Sequence, residues 1–176
     1  KLLATARKLV SHFKHWLKAT ENLKKFQEAF LPSDKGNHLL QAELTHWNAQ
    51  YYMLDHLIEQ NLRIMAALQG DKKLLLRDDQ WILAANVVKM LQTFESATRK
   101  LCLKSACVSQ MIPFVKTLKC HLKKSISNSI LILSKHQMLL GLASGMDQLM
   151  GIDFCCMSTL LDPRYKIRFF NDNQKN

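Results

Sequence analysis

The sequence predicts an all-α fold, a multi-helix bundle, and three observations carry that expectation. Apolar residues recur every three or four positions along most of the 176 residues. Five glycines and three prolines provide few turns, and strand-rich folds need many. Hydrophobic residues make up 48%, enough for a packed core and too many for a disordered chain. At this length one helical domain over residues 1–176 is expected, burying roughly 70% of its unfolded surface.

The first helix follows from Leu2, Leu3, Ala6, Leu9, Val10, Phe13 and Leu17, which share one face, with Arg7, Lys14 and Lys18 opposite. After Thr20 the apolar phase moves to Leu23, Phe26 and Phe30, which predicts a break near Thr20 with that residue as the N-cap. Pro32-Ser33-Asp34-Lys35-Gly36-Asn37 has loop composition. Thr45 is placed to cap the next helix, whose stripe is Trp47, Tyr51, Leu54, Ile58, Met65 and Leu68. Asp55, Glu59 and Arg63 lie on its outer side, and Gly70 ends it.

Asp78-Asp79 suits the positive end of a helix dipole, and the helix that follows turns Leu83, Val87, Met90, Phe94, Ala97 and Leu101 inward. A fourth helix spans about 106–124, with Val108, Met111, Val115, Leu118 and Leu122 inside. Pro113 kinks it or sits in its first turn. A fifth runs from about Ser129 to Met150, where Gly141 and Gly145 allow close helix packing. Asp162-Pro163 reads as N-cap and first residue of a short helix toward Phe170.

The net charge of +11 is unevenly spread. Residues 1–31 carry seven bases and two acids, whereas acids outnumber bases over 32–95. Residues 96–146 hold eight bases (Arg99, Lys100, Lys104, Lys116, Lys119, Lys123, Lys124 and Lys135) and no acid. Such a stretch projects a positive field that attracts phosphate chains, or faces an acidic protein surface. Lys116, Lys119 and Lys123 fall on one helix face.

Other chemistry is sparse. The five cysteines are odd in number and irregular in spacing, which fits reduced thiols rather than a disulfide framework. Cys120-His121 and Cys155-Cys156 lack zinc spacing and read as buried thiols; His12 and His15 lack a third ligand. No apolar run approaches the ~20 residues a spanning helix needs. The chain opens on Lys1 without a signal peptide and reads as an excerpt of a longer protein.

Five segments, in order, carry a resemblance. They are residues 6–15 (Ala6 to His15), residues 44–60 around Thr45-His46-Trp47-Asn48, residues 87–98 (Val87 to Thr98), Ile112-Pro113, and residues 159–166 around Leu161-Asp162-Pro163-Arg164. Together they resemble the shared stretches of hAT-type DNA transposases and of their host-adopted relatives, the zinc-finger BED-domain proteins. In that family a ribonuclease-H-like core with three metal-holding carboxylates is interrupted by a helical insertion, and this chain resembles most of the insertion. The resemblance implies that two of the carboxylates lie before Lys1 and the third after Asn176. It also implies that zinc belongs only to a BED finger upstream, with no cofactor or metal site within these residues.

The sequence departs from the family pattern at His46, which stands for an arginine, and at Ala49 and Gln50, which stand for serine and threonine. Residues 141–156 match poorly. Losing the arginine removes a permanent charge and a bidentate phosphate contact. These departures suit an adopted copy better than a mobile enzyme.

The resemblance implies a nuclear, DNA-associated and homo-oligomeric parent protein, with no membrane partner and no small-molecule substrate. The segment itself is expected to be no enzyme. Its expected role is scaffolding with sequence-independent phosphate contact. The candidate nucleic-acid residues are Arg99, Lys116, Lys119, Lys123, Lys124, His46, Trp47, Arg164 and Lys166. Trp47 matches a tryptophan implicated in stacking near distorted DNA ends, yet its phase places it in the core. For Arg164, Lys166 and Arg168 a solvated tail and a phosphate contact stand level. The alternative is a protein–protein or dimerisation module acting in transcriptional regulation; part of an active transposase ranks third.

Overall fold

A computed structural model describes residues 1–30, 39, 47–68, 74–124 and 131–170 (for residue 18 and residues 28–30, the backbone only). The expected loop at 32–37, the Thr45 cap, His46, the Gly70 stop and the Ser129 start lie outside the described residues. Among those described there are eight α-helices and no strand, so the fold is all-α. The chain divides into two compact units, Lys1–Val88 and Lys89–Asn176.

The first unit holds α1 (Leu2–His15), α2 (Leu17–Phe30), α3 (Trp47–Glu59), α4 (Asn61–Ala67) and the opening turns of α5 (Asp78–Leu101). The break between α1 and α2 falls at Trp16, whose backbone is extended (φ −105°, ψ 105°), four residues before the expected point. Thr20 is not a cap. Its hydroxyl donates back across the break to the carbonyls of Phe13 and Trp16. Ala6, Leu9, Val10 and Phe13 of α1 are buried as the periodicity requires, whereas Leu17, beyond the break, is exposed. These α1 residues join Leu23, Met53, Leu54, Leu57, Ile64, Trp81 and Ala84 in one core.

The helix expected to run unbroken to Gly70 is interrupted at Gln60 (φ −98°, ψ 10°). No proline or glycine causes this. The buried Gln60 amide oxygen accepts a hydrogen bond from the buried Gln27 side chain of α2, and a polar group inside a core needs such a partner. The break rotates the stripe that follows. Arg63, expected outside, is buried, and Met65, expected inside, is exposed. Helix α5 begins at Asp78 as expected. The Gln80 side chain accepts from the Arg77 backbone N–H (3.1 Å), half of a capping box.

The second unit holds the rest of α5, a 3-10 turn at Val108–Gln110, α6 (Met111–Lys124), α7 (Ile132–Met150), α8 (Asp153–Leu161) and a second 3-10 turn at Lys166–Phe169. Pro113 occupies the first turn of α6, where its missing N–H costs no helical bond. Val108 lies in the 3-10 turn rather than in the helix and is exposed, against expectation. Gly141 and Gly145 have no atom within 4 Å of an added Cβ, so they are not close-packing positions.

Helix α8 had no counterpart in the sequence reading. Asp162 ends it (φ −73°, ψ 117°) instead of starting a helix, and the carbonyl of Asp162 accepts from the N–H groups of Tyr165 and Lys166 at 3.0 Å each. The compact core here is Ile112, Met146, Cys155 and Phe170. Among the described residues no helix is long and apolar enough to cross a membrane.

Candidate nucleic-acid interface

Helix α6 displays the basic face. Its spacing puts Lys116, Lys119 and Lys123 on one side, and all three line a cavity of about 310 Å³ with Met146, Asp147 and Met150 of α7. Cys120 also borders it and is exposed, not buried as expected. The Lys116 ammonium donates to the backbone carbonyl of Phe169, which ties the 3-10 turn after α8 to α6. Burial holds the Lys116 pKa below its ordinary value, and the neighbouring Lys119 charge lowers it further; Cys120 opposes this. Lys135 reaches the Lys123 carbonyl (3.4 Å), adding positive charge near the end of α6. Lys124 is exposed.

The other candidates do not gather here. Arg99 is exposed and pairs with Glu95 (3.4 Å), a carboxylate whose side chain is only 8% exposed. Arg164 is held within the chain. Its Nε and Nη2 donate to the two carboxylate oxygens of Asp162 at 2.9 and 2.7 Å, and its guanidinium lies 5.1 Å from the Tyr165 ring centre. The Ser109 hydroxyl donates to the same carboxylate (2.7 Å). The hydrogen bonds from Arg164 and then Ser109 hold Asp162 ionised far below the usual carboxylate range. The Leu-Asp-Pro-Arg motif is therefore a polar latch joining α8 to the turn before α6.

Lys166 is exposed and adopts φ 48°, in the left-handed region. Trp47 belongs to the first unit. It is the first residue of α3, one turn before the buried stripe begins at Tyr51, and it is 41% exposed rather than core. Cys155 is buried and Cys156 half-buried; burial chiefly raises the Cys156 thiol pKa. Among the described residues no group of three or more His, Cys, Asp or Glu side chains could hold a metal.

Sequence reasoning missed the α7 half of the cavity. The acid-free stretch ends at Met146, and the next residue is the Asp147 that faces the lysines. The spacing of Met146 and Met150 was a usable signal, since it places two apolar side chains on one helix face beside that carboxylate. Trp16, 63% exposed with its ring 5.2 Å from that of His12, was also missed.

The fold and the ordered motifs define a helical segment of the kind found in transposase-derived BED proteins, and comparison with known proteins finds such relatives. The chain is 30% identical to human zinc finger BED domain-containing protein 6 over 174 residues, 94% of this chain and 18% of that protein. The mouse protein of the same name is 28% identical over 174 residues, covering 94% and 17%. Human zinc finger BED domain-containing protein 4 is 30% identical over 179 residues, covering 98% and 15%.

The chain is thus homologous, over nearly all its length, to a region of zinc finger BED domain-containing proteins, in keeping with the hAT resemblance of its motifs. It spans less than a fifth of the length of these relatives. No protein-family model matches it, and no solved structure does.

Proposed function

We propose that this segment is the helical scaffold region of a transposase-derived nuclear protein and that α6 contacts DNA phosphates without reading sequence. The observation that carries the proposal is the convergence of Lys116, Lys119 and Lys123 on one cavity, within a stretch free of acids up to Met146. Crowded ammonium groups repel one another, and a phosphate relieves that repulsion. Lys124 lies one residue beyond Lys123 and extends the basic surface. Arg99 and Arg164 contribute less, because each already has a carboxylate partner. Catalysis is assigned to no residue of this segment.

A salt titration of duplex binding tests the reading. Log affinity should fall linearly with log salt, and each phosphate that is no longer neutralised should flatten the slope by about 0.9. The double variant Lys119→Glu, Lys123→Glu should flatten it by roughly two such steps. Absence of duplex binding at low salt rejects the reading.

The second reading is a protein–protein or dimerisation module serving transcriptional regulation. One observation favours it. Phe154, Met157 and Leu161 of α8 lie three and four residues apart and are 67%, 55% and 76% exposed. Concentration-dependent self-association that Phe154→Ser abolishes, in a chain that binds no duplex, would put this reading first.

A further inference from the structure

We infer that the cavity between α6 and α7 takes one nucleotide of an unpaired strand, with its phosphate on Lys116, Lys119 and Lys123, its base against Met146 and Met150, and Asp147 accepting a hydrogen bond from a base amino group or a sugar hydroxyl. The inference rests on the phosphate-contact reading and adds which form of nucleic acid the site receives.

Size comes first. The cavity encloses about 310 Å³, at the small end of the range of roughly 300–1,000 Å³ typical of ligand pockets. One nucleotide fits such a space, whereas a duplex can only pass over its mouth. Chemistry comes second. A surface built only to follow a phosphate backbone has no use for a carboxylate, which repels it. Asp147 stands across from three ammonium groups in the same cavity. A carboxylate accepts hydrogen bonds only, so the natural partner is a donor, and bases and sugars offer donors where phosphates offer none.

The floor comes third. Met146 is buried and Met150 half-buried, and a thioether packs against an aromatic ring edge. In a duplex the base faces are stacked away inside the helix; in an unpaired strand they are accessible. Cationic, acceptor and apolar walls together match the three parts of a nucleotide.

The test compares three probes on the intact 176-residue chain at one salt concentration. They are a short oligodeoxyadenylate strand, a blunt duplex of equal length and adenosine 5′-monophosphate. The unpaired strand should bind roughly tenfold tighter than the duplex, the scale of one stacked base. Asp147→Asn, at an exposed position, should tighten duplex binding and erase the preference. Met150→Ala, with its helicity checked by circular dichroism, should weaken the strand several-fold and leave the duplex unchanged.

Equal affinity for strand and duplex, both weakened by Lys119→Glu, overturns the nucleotide pocket and leaves the phosphate-contact reading standing. Strand binding without duplex binding retains the pocket and removes the duplex role. Binding of the free nucleotide alone overturns the strand assignment. Failure of all three probes at low salt rejects both readings.

Discussion

The two units of this chain are built on different principles. In the first, an apolar core draws on all five of its helices, including fully buried Leu9, Val10, Met53 and Ile64. In the second, the compact cluster has only Ile112, Met146, Cys155 and Phe170, and named polar bonds connect the elements around it. Ser109 and Arg164 converge on Asp162, buried Thr159 donates to the carbonyls of Ser109 and Cys155, and Lys116 donates to Phe169. Hydrophobic burial is non-directional and fixes a shape; hydrogen bonds are directional and fix positions of particular atoms. The contrast places the scaffold in the first unit and the candidate chemistry in the second.

The largest expected effect tests the scaffold half of that comparison. Leu9→Ala empties a fully buried site and should cost about 2–5 kcal/mol in urea denaturation. Under conditions where the variant is still folded, its nucleic-acid affinity should match the parent's. A large fall in affinity would show that the division of labour is wrong.

Next in size is the pH dependence of binding. A bound phosphate adds a favourable charge beside Lys116, so its pKa rises on binding and a proton is taken up. Affinity should therefore fall as pH rises through the depressed Lys116 value, below the ordinary 10.5. The groups facing Lys116 across the cavity are Lys119, Cys120, Lys123 and Asp147. Lys116→Arg should move this decline upward, and a pH series of titrations at constant ionic strength measures it.

A smaller effect concerns the latch. Ser109→Ala removes one hydrogen bond to Asp162 and should cost about 1 kcal/mol at neutral pH. Asp162 is held below its ordinary pKa when folded. Its contribution is fully present above the unfolded value and is lost as pH falls through the folded one. Without the serine donor the folded pKa rises, so acid unfolding followed by circular dichroism should begin at higher pH than in the parent.

The mildest perturbation is alkylation timed by mass spectrometry. Cys102, Cys107 and Cys120 are exposed and should react first; Cys156, with its raised pKa, should lag, and buried Cys155 should come last. Bound nucleic acid should protect Cys120 and leave Cys102 unprotected. Protection of both would widen the interface beyond α6 and α7.

Much of this architecture was legible in the residues. Periodicity located α1, α2, α3, α5, α6 and α7, because a packed helix must turn an apolar stripe inward. It failed at Gln60, where a side-chain bond from a residue 33 positions away ends a helix that local propensity would continue. It failed again at α8, where Phe154, Cys155, Cys156, Met157, Leu160 and Leu161 are apolar nearly all round and leave no phase to read. The Trp47 reading failed for a third reason: phase says which side a residue faces, not whether anything covers it at the end of a helix.

The candidate site divided the same way. That Lys116, Lys119 and Lys123 share a face follows from helical geometry alone. That Arg164 is occupied by Asp162, and that Asp147, Met146 and Met150 close the other wall of the cavity, depends on pairing α6 with α7 and α8.

By itself, the order of residues determined helicity, the uneven charge and the kinship with BED-type proteins, since each is encoded in spacing or identity along the chain. Only tertiary structure decided which cations remain available and what faces them. Those outcomes depend on packing between residues far apart in sequence, and no local periodicity encodes it.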